Sequence, residues 1–314
     1  MNQKKESRIW LDEMITLLPL ALMAFFYYGM HFAVMAAICV FTALAAEFAA
    51  LRLMHRDFTA DDLMCSSDGL ITALMFPASM SYKIAFLAVL FGSVVAKNVL
   101  GGRKNMIFSP AAAAYVFTLT SWSRELLMYP SPHAHTEIFE NAKELVVSAS
   151  HTFNMTGKME YTDFEVLMGN FSGPCGAVSI MLLIIAAVML IFRKDISFGA
   201  FIGTISGTAV FAFITPMIAS RADSVKYSLV TNMVLFAAIY IVSDKRTAPQ
   251  KSYYAFFYGF FIAVASYILV ITTAKENAVI IASVLFTPAA LGFRMLEHKI
   301  EMAEKEQANE EAAK

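Results

Sequence analysis

Apolar runs alternate with short polar connections along almost the whole chain. Runs with few charges lie near residues 15–30, 32–54, 63–77, 81–100, 109–122, 176–192, 198–217, 227–243, 254–273 and 278–295. A helix that crosses a bilayer needs about 20 predominantly apolar residues. The pattern therefore predicts an all-α membrane protein with about ten transmembrane helices, five on each side of a polar stretch at 123–165. The runs at 63–77 and 109–122 are short, and either fits a full crossing or a re-entrant piece. Short, proline-bounded runs in corresponding halves suggest an inverted repeat, although the halves show no residue-level self-similarity. The predicted organisation is a cytoplasmic segment 1–14, a first membrane half 15–122, an extracytoplasmic loop 123–165, a second half 166–295 and a cytoplasmic charged tail 296–314. The apolar run after Leu17 continues without a small-residue cleavage site, so it reads as a retained first span.

Composition agrees with the pattern. Apolar residues make up 58% of the chain and charged residues 16%, against about a quarter charged in soluble domains; mean hydropathy is +0.61. A net charge of −1 offers no basic face for nucleic acid. Cys39, Cys65 and Cys175 are too widely spaced for a disulfide framework or a C-x-x-C metal site. Loop charges orient the spans, because Lys and Arg favour cytoplasmic loops. With both termini inside, Arg52/Arg56, Lys97/Arg103/Lys104, Arg193/Lys194 and Lys245/Arg246/Lys251 all fall inside. Lys83, Arg221, Lys226 and Lys275 are scattered outside, and the 123–165 loop carries more acids than bases. The tail from 296 interleaves acids and bases and reads as a solvated helix or frayed end.

Ionisable groups inside spans are costly against lipid and mark candidate sites. Glu47 lies in the second run, and Asp62 and Asp68 flank or enter the third. They read either as carboxylates lining an ion or proton path, or as a helix cap at Asp62 and a pairing with a basic group at Glu47. The polar stretch from Asp62 to Gly69 should face a cavity or neighbouring helices. Gly101-Gly102 before Ser109-Pro110, and Gly169-Asn170 through Gly173 and Gly176, interrupt the spans. Such glycines allow close backbone approach to a ligand, yet tight turns use them too. His133, His135 and His151 in the long loop lack the further ligands a metal site needs. The aromatic stripe from Tyr253 to Phe261 reads as packing and interfacial belt.

At these positions the sequence resembles the membrane component shared by Rnf ferredoxin:NAD oxidoreductases (their D component) and sodium-translocating NADH:quinone reductases (their B component). The likeness runs through Leu11-Asp12, Leu17-Leu18-Pro19, Glu47, Asp62…Gly69…Pro77, Lys97…Gly101-Gly102 and Phe108-x-Pro110-Ala111. It continues in Gly169-Asn170…Gly173-x-x-Gly176, Ser243-Asp244…Thr247-x-Pro249 and Thr287-Pro288. The resemblance implies a helix bundle like the urea and ammonium channels, in a prokaryotic cytoplasmic (inner) membrane. It implies a subunit passing electrons through flavin, coupled to Na+ or H+ movement, beside partner subunits of the A, B, C, E and G types. It further implies FMN joined by a phosphoester to a loop hydroxyl, and room for a second, non-covalent flavin. The chain has neither an iron–sulfur Cys pattern nor a dinucleotide fingerprint, so partners would deliver the electrons. The counterpart of the family's Asp-x-x-Ser-Gly-Ala-Thr stretch is Glu144 to Thr152, which puts Ser150 at the acceptor position, with Thr152 and Thr156 as other hydroxyls. Gly173 and Gly176 are the candidate backbone contacts. Other departures are Ser109 for Asn, Ala177-Val178 for Glu-Thr, and Asp68 for Thr. A flavin-free channel, transporter or assembly subunit on the same scaffold is the alternative.

Overall fold

In the computed structural model, which describes residues 3–102, 106–134, 138, 144–218 and 220–312, every predicted apolar run is helical. The first half comprises α1 (Gln3–Tyr28), α2 (Met30–Leu53), α3 (Met64–Met75), α4 (Tyr82–Phe91, running on as a π-helical segment Gly92–Val99) and α5 (Pro110–Ser121). The 123–165 region is more than a loop. It holds α6 (Ser123–Leu126), a two-residue antiparallel pair β1 (Tyr129–Pro130) and β2 (Leu145–Val146), α7 (Ala149–Thr156) and the start of α8 (Asp163–Met168). The second half comprises α9 (Ile180–Arg193), α10 (Phe198–Ile214), α11 (Arg221–Val230), α12 (Val234–Ala237, extended by a π-helical segment Ala238–Val242), α13 (Ser252–Thr273), α14 (Ala278–Leu285) and α15 (Thr287–Ala312).

Length separates these helices into kinds. Among the described residues four are long and apolar enough to cross a membrane: Arg8–Tyr28, Met30–Leu53, Tyr82–Val99 and Ser252–Thr273. Two bent pairs pass the same test, with a 56° break between α11 and α12 and a 46° break between α14 and α15. Helices α9 and α10 are shorter and apolar. At about 1.5 Å rise per residue, the 12 residues of α3 and of α5 reach about two-thirds of a hydrocarbon core of about 30 Å. Helix α3 can be short because protein surrounds it, every one of its residues being buried, and α5 is buried over its first six residues. Leu18, Leu22, Phe26, Phe41, Ile185 and Phe192 on α1, α2 and α9 are instead half exposed or more, an apolar exterior that water would not tolerate but lipid does.

Caps fix the helix ends locally. Ser109 accepts the Ala112 N–H, with Pro110 in the first turn of α5, so Ser performs the capping that Asn performs equally well. Ser148 caps α7 through His151 N at 3.0 Å. Thr162 and Glu165 form a reciprocal capping box on α8. The charged tail is docked at its start: buried Glu297 accepts the Gln250 and Lys251 N–H groups at 3.0 and 2.7 Å, capping α13 from a distance.

Candidate functional site

The centre of the bundle is a meeting of interrupted helices. Helix α3 stops at Phe76, which is extended ahead of Pro77. The freed carbonyls are taken by the glycine motif of the other half, Gly176 N to Leu74 O at 2.7 Å and Cys175 N to Phe76 O at 3.2 Å. Gly176 permits this approach, since a Cβ there would lie 2.6 Å from Leu74 Cβ. A Cβ on Gly173 would lie 2.9 Å from Val178 Cγ1. Protein thus fills the space beside both glycines: Gly176 serves close packing between the halves, and Gly173 packs within its own half against Val178 and Phe171.

The second interruption, between α11 and α12, contains Asn232 and Met233 in left-handed conformation. Helix α7 braces it. The Asn232 N–H donates to Ser150 Oγ at 3.2 Å. Asn154 and Asn232 exchange side-chain hydrogen bonds at 2.6 and 3.1 Å. Asn154 Nδ2 and His151 Nδ1 reach the Ala274 carbonyl at 3.2 and 3.1 Å. Of the other loop histidines, His133 packs edge-on against Tyr27, and His135 lies outside the described residues.

At the end of the bundle that carries both termini, the sequence-predicted carboxylates are all engaged. Glu47 pairs with Lys97 at 3.1 Å, both side chains 2% exposed, and accepts Asn98 Nδ2 at 3.1 Å. Asp62 accepts the N–H and hydroxyl of Thr59 at 2.8 and 2.6 Å. Asp68 is held by the two terminal nitrogens of Arg246 at 2.7 and 3.1 Å, while Nε of the same guanidinium binds both oxygens of Asp244 at 3.0 and 2.9 Å. Pairing and capping therefore describe these residues. The polar stretch before Gly69 faces α1: Ser67 donates to Glu13 at 2.7 Å and Trp10 to Ser66 at 3.0 Å.

A second cluster at this end joins Asp12, Arg8, Arg193 and Asp195. Burial, together with the neighbouring Asp12 carboxyl, pushes the Asp195 carboxyl from 3.8 up to about 6. The folded protein then keeps a proton that the unfolded chain releases, so this group's contribution to stability falls as pH rises from about 4 to 6. Asp195→Asn should match the wild type in thermal midpoint near pH 4 and exceed it near pH 7.5; equal midpoints at both would contradict the linkage.

Sequence reasoning missed Glu13, Arg246 and a further buried acid, Glu276, at the opposite, loop-bearing end. Tyr129 donates to Glu276 Oε1 at 2.5 Å. Arg246 stands next to the Ser243-Asp244 motif, a signal that was available; Glu276 has the look of an ordinary loop acid.

A bundle of long, bent and half-length helices with an apolar exterior, charges paired in its interior and interrupted helices from both halves touching at the centre is a multi-pass membrane protein. The chain belongs to the NQR2, RnfD, RnfE family, whose model matches residues 1–292. The D component of the Na(+)-translocating ferredoxin:NAD(+) oxidoreductase complex of Acetobacterium woodii is 24% identical over 75% of this chain and 71% of the relative. The D component of an ion-translocating oxidoreductase complex of Shewanella loihica is 33% identical over 42% of this chain and 39% of the relative. The B component of the Na(+)-translocating NADH-quinone reductase of Chromohalobacter salexigens is 21% identical over 72% and 55%. The chain thus spans less than two-thirds of the second and third relatives.

The implied FMN can be tested against the three hydroxyls. Ser150 is 5% exposed and its oxygen is engaged by Asn232; it does not fit a phosphoester unless α7 leaves its seat. Thr152 is half-buried and turned back to the Ser148 carbonyl. Thr156 is exposed at the last turn of α7; its hydroxyl donates to the Thr152 carbonyl at 2.8 Å and accepts the Lys158 N–H at 3.2 Å, so it is the most open of the three but is also engaged.

Proposed function

We propose that this chain is the membrane subunit of an Rnf-type ion-translocating electron-transport complex, passing electrons through flavin between ferredoxin and NAD(H) modules, coupled to movement of Na+ or H+. The observation that supports it most is the family match across residues 1–292, which runs through both interrupted helices and the α7 brace. The proposal includes partner subunits of the A, B, C, E and G types and a prokaryotic cytoplasmic membrane. The terminal end with its lysines and arginines would face the cytoplasm. A bound flavin supplies the one- and two-electron redox chemistry. The protein's part is to hold it at the loop end, with Thr156 as acceptor, while α7 keeps the second-half break in register.

One observation favours a second reading, a flavin-free channel, transporter or assembly subunit. The aligned acceptor Ser150 is buried and acts as a structural bond to Asn232. In-gel fluorescence of native membranes under ultraviolet light separates the two. The redox reading expects a fluorescent band at this chain's mass that Thr156→Ala abolishes and Ser150→Ala leaves. Absence of a band, with other flavoproteins in the same lane fluorescing, would leave the flavin-free reading standing.

A further inference from the structure

At the loop-bearing end, helices α1, α8 and α9 border a groove of about 220 Å3. Leu22 and Phe26 of α1, Leu167 of α8 and Met181 of α9 line it and are exposed, so it opens toward lipid. The Tyr27 hydroxyl donates to the Met168 carbonyl at 2.9 Å and ties α1 to α8 beside it. Every residue of this lining is apolar except Ser179. Ser179 is 3% exposed, yet its hydroxyl has no hydrogen-bond partner among the described residues. It holds the N-cap position of the 14-residue α9 without capping it. The opening N–H groups of a helix have no partner within it, so an apolar groove carries a free hydroxyl beside an uncapped helix start. Buried polar atoms are nearly always hydrogen-bonded, and such a hydroxyl needs a reason.

An occupant that answers both features is slender, apolar and brings an oxygen acceptor. Pockets for drug-sized ligands hold about 300–1,000 Å3, so a fused ring system is too large. A membrane-spanning helix is about 10–12 Å across, too wide to enter, and its carbonyls are already bonded internally. An acyl chain with its ester carbonyl meets both needs. The depth agrees. Helix α8 joins exposed Phe164 and Leu167 to Asp163, which pairs with Lys226 at 2.9 Å. The polar edge of the bilayer therefore passes along α8, and lipid esters lie at that edge. We infer that the groove binds one acyl chain of a glycerophospholipid from the leaflet at the loop-bearing end, with Ser179 donating to its ester carbonyl. The site requires only that the chain sit in a membrane, and it holds under either reading of the function.

The test uses the delipidated full-length protein in detergent, with native mass spectrometry counting bound dioctanoyl phosphatidylcholine. The wild type should take up one molecule in a saturable way. Leu22→Trp should abolish that adduct by filling the groove, and because Leu22 is exposed the fold should be undisturbed. Ser179→Ala should raise the half-saturating concentration about fivefold, the worth of one hydrogen bond. The dioctyl ether analogue lacks the carbonyl, so it should bind Ser179→Ala and wild type equally. No saturable adduct on the wild type, or an adduct unchanged by Leu22→Trp, would overturn the site. Loss of ester and ether binding alike in Ser179→Ala would overturn the hydroxyl's role. If the wild type binds no lipid, and a Leu22→Cys thiol is shielded from a membrane-soluble reagent only when other subunits are present, the groove belongs to a partner protein instead.

Discussion

Arg246→Met should destabilise the protein by about 3–5 kcal/mol, the cost of removing one partner from a buried charge network. The guanidinium is 10% exposed and holds Asp68 and Asp244, themselves 4% and 5% exposed. Methionine keeps much of the apolar stem but strands two carboxylates. For a chain of 314 residues the midpoint moves by about 1.5 °C per kcal/mol, so it should fall by roughly 5–8 °C, or the protein should fail to accumulate. Arg246→Lys should fall between, because an ammonium cannot reproduce the three-nitrogen fork. Adding Asp68→Asn to Arg246→Met should recover part of the loss by removing one stranded charge. If the double variant is no more stable than the single, the carboxylate's charge is not what Arg246 offsets. The network also bears on mechanism. Asp68 lies on α3 of the first half and Arg246 just after the π-helical end of the second-half break, so this bond ties together the two interrupted helices. A carboxylate so held is a clamp between halves, and Asp68→Asn alone should leave ion movement closer to wild type than Arg246→Met does.

The helices are legible in the sequence because apolar runs mark them: each of the ten runs carries helix, although among the described residues only four helices, or six with the bent pairs, are long and apolar enough to cross a membrane. The shortness of 63–77 and 109–122 is legible too, and its reason is that α3 is enclosed by protein and α5 is buried over its first six residues. Partners are a different matter. Glu47 meets Lys97 and Asp68 meets Arg246 only because the chain folds back over 50 and 178 residues, distances at which residue type carries no pairing information. The same limit misplaces Ser150. A stretch of small polar residues between spans looks like an exposed loop, but the Ser148 cap converts it to helix and Asn232 draws its hydroxyl inward. Glu276 is the opposite case: one acid in a four-residue connection, whose burial depends on α5, β1 and α7 closing over it.

Gly203→Leu should be as damaging as Arg246→Met, for a steric reason. Helices α10 and α13 make the closest crossing in the second half, with Gly199, Gly203 and Gly207 spaced four apart on one face and Gly259 opposite. Small residues at this spacing let backbones approach, which is how helices associate where lipid supplies no hydrophobic drive. A Cβ on Gly203 would fall inside contact with the Phe256 carbonyl oxygen and 3.0 Å from the Phe260 nitrogen. Backbone cannot rotate aside as a side chain can, so α13 must shift as a body. Overpacking by even one methyl costs about 1–3 kcal/mol, and Gly203→Ala should show a loss of that order; leucine should go further and lower the folded yield outright. Gly292 on α15 provides the control, because a Cβ there meets nothing within 4 Å. Gly292→Ala should be neutral or stabilising by up to about 1 kcal/mol through helix propensity. Equal thermal midpoints for Gly203→Ala and Gly292→Ala would mean the crossing is looser than its geometry requires. A selective loss at Gly203 would make α10 and α13 the rigid pair against which the break at Asn232 is held.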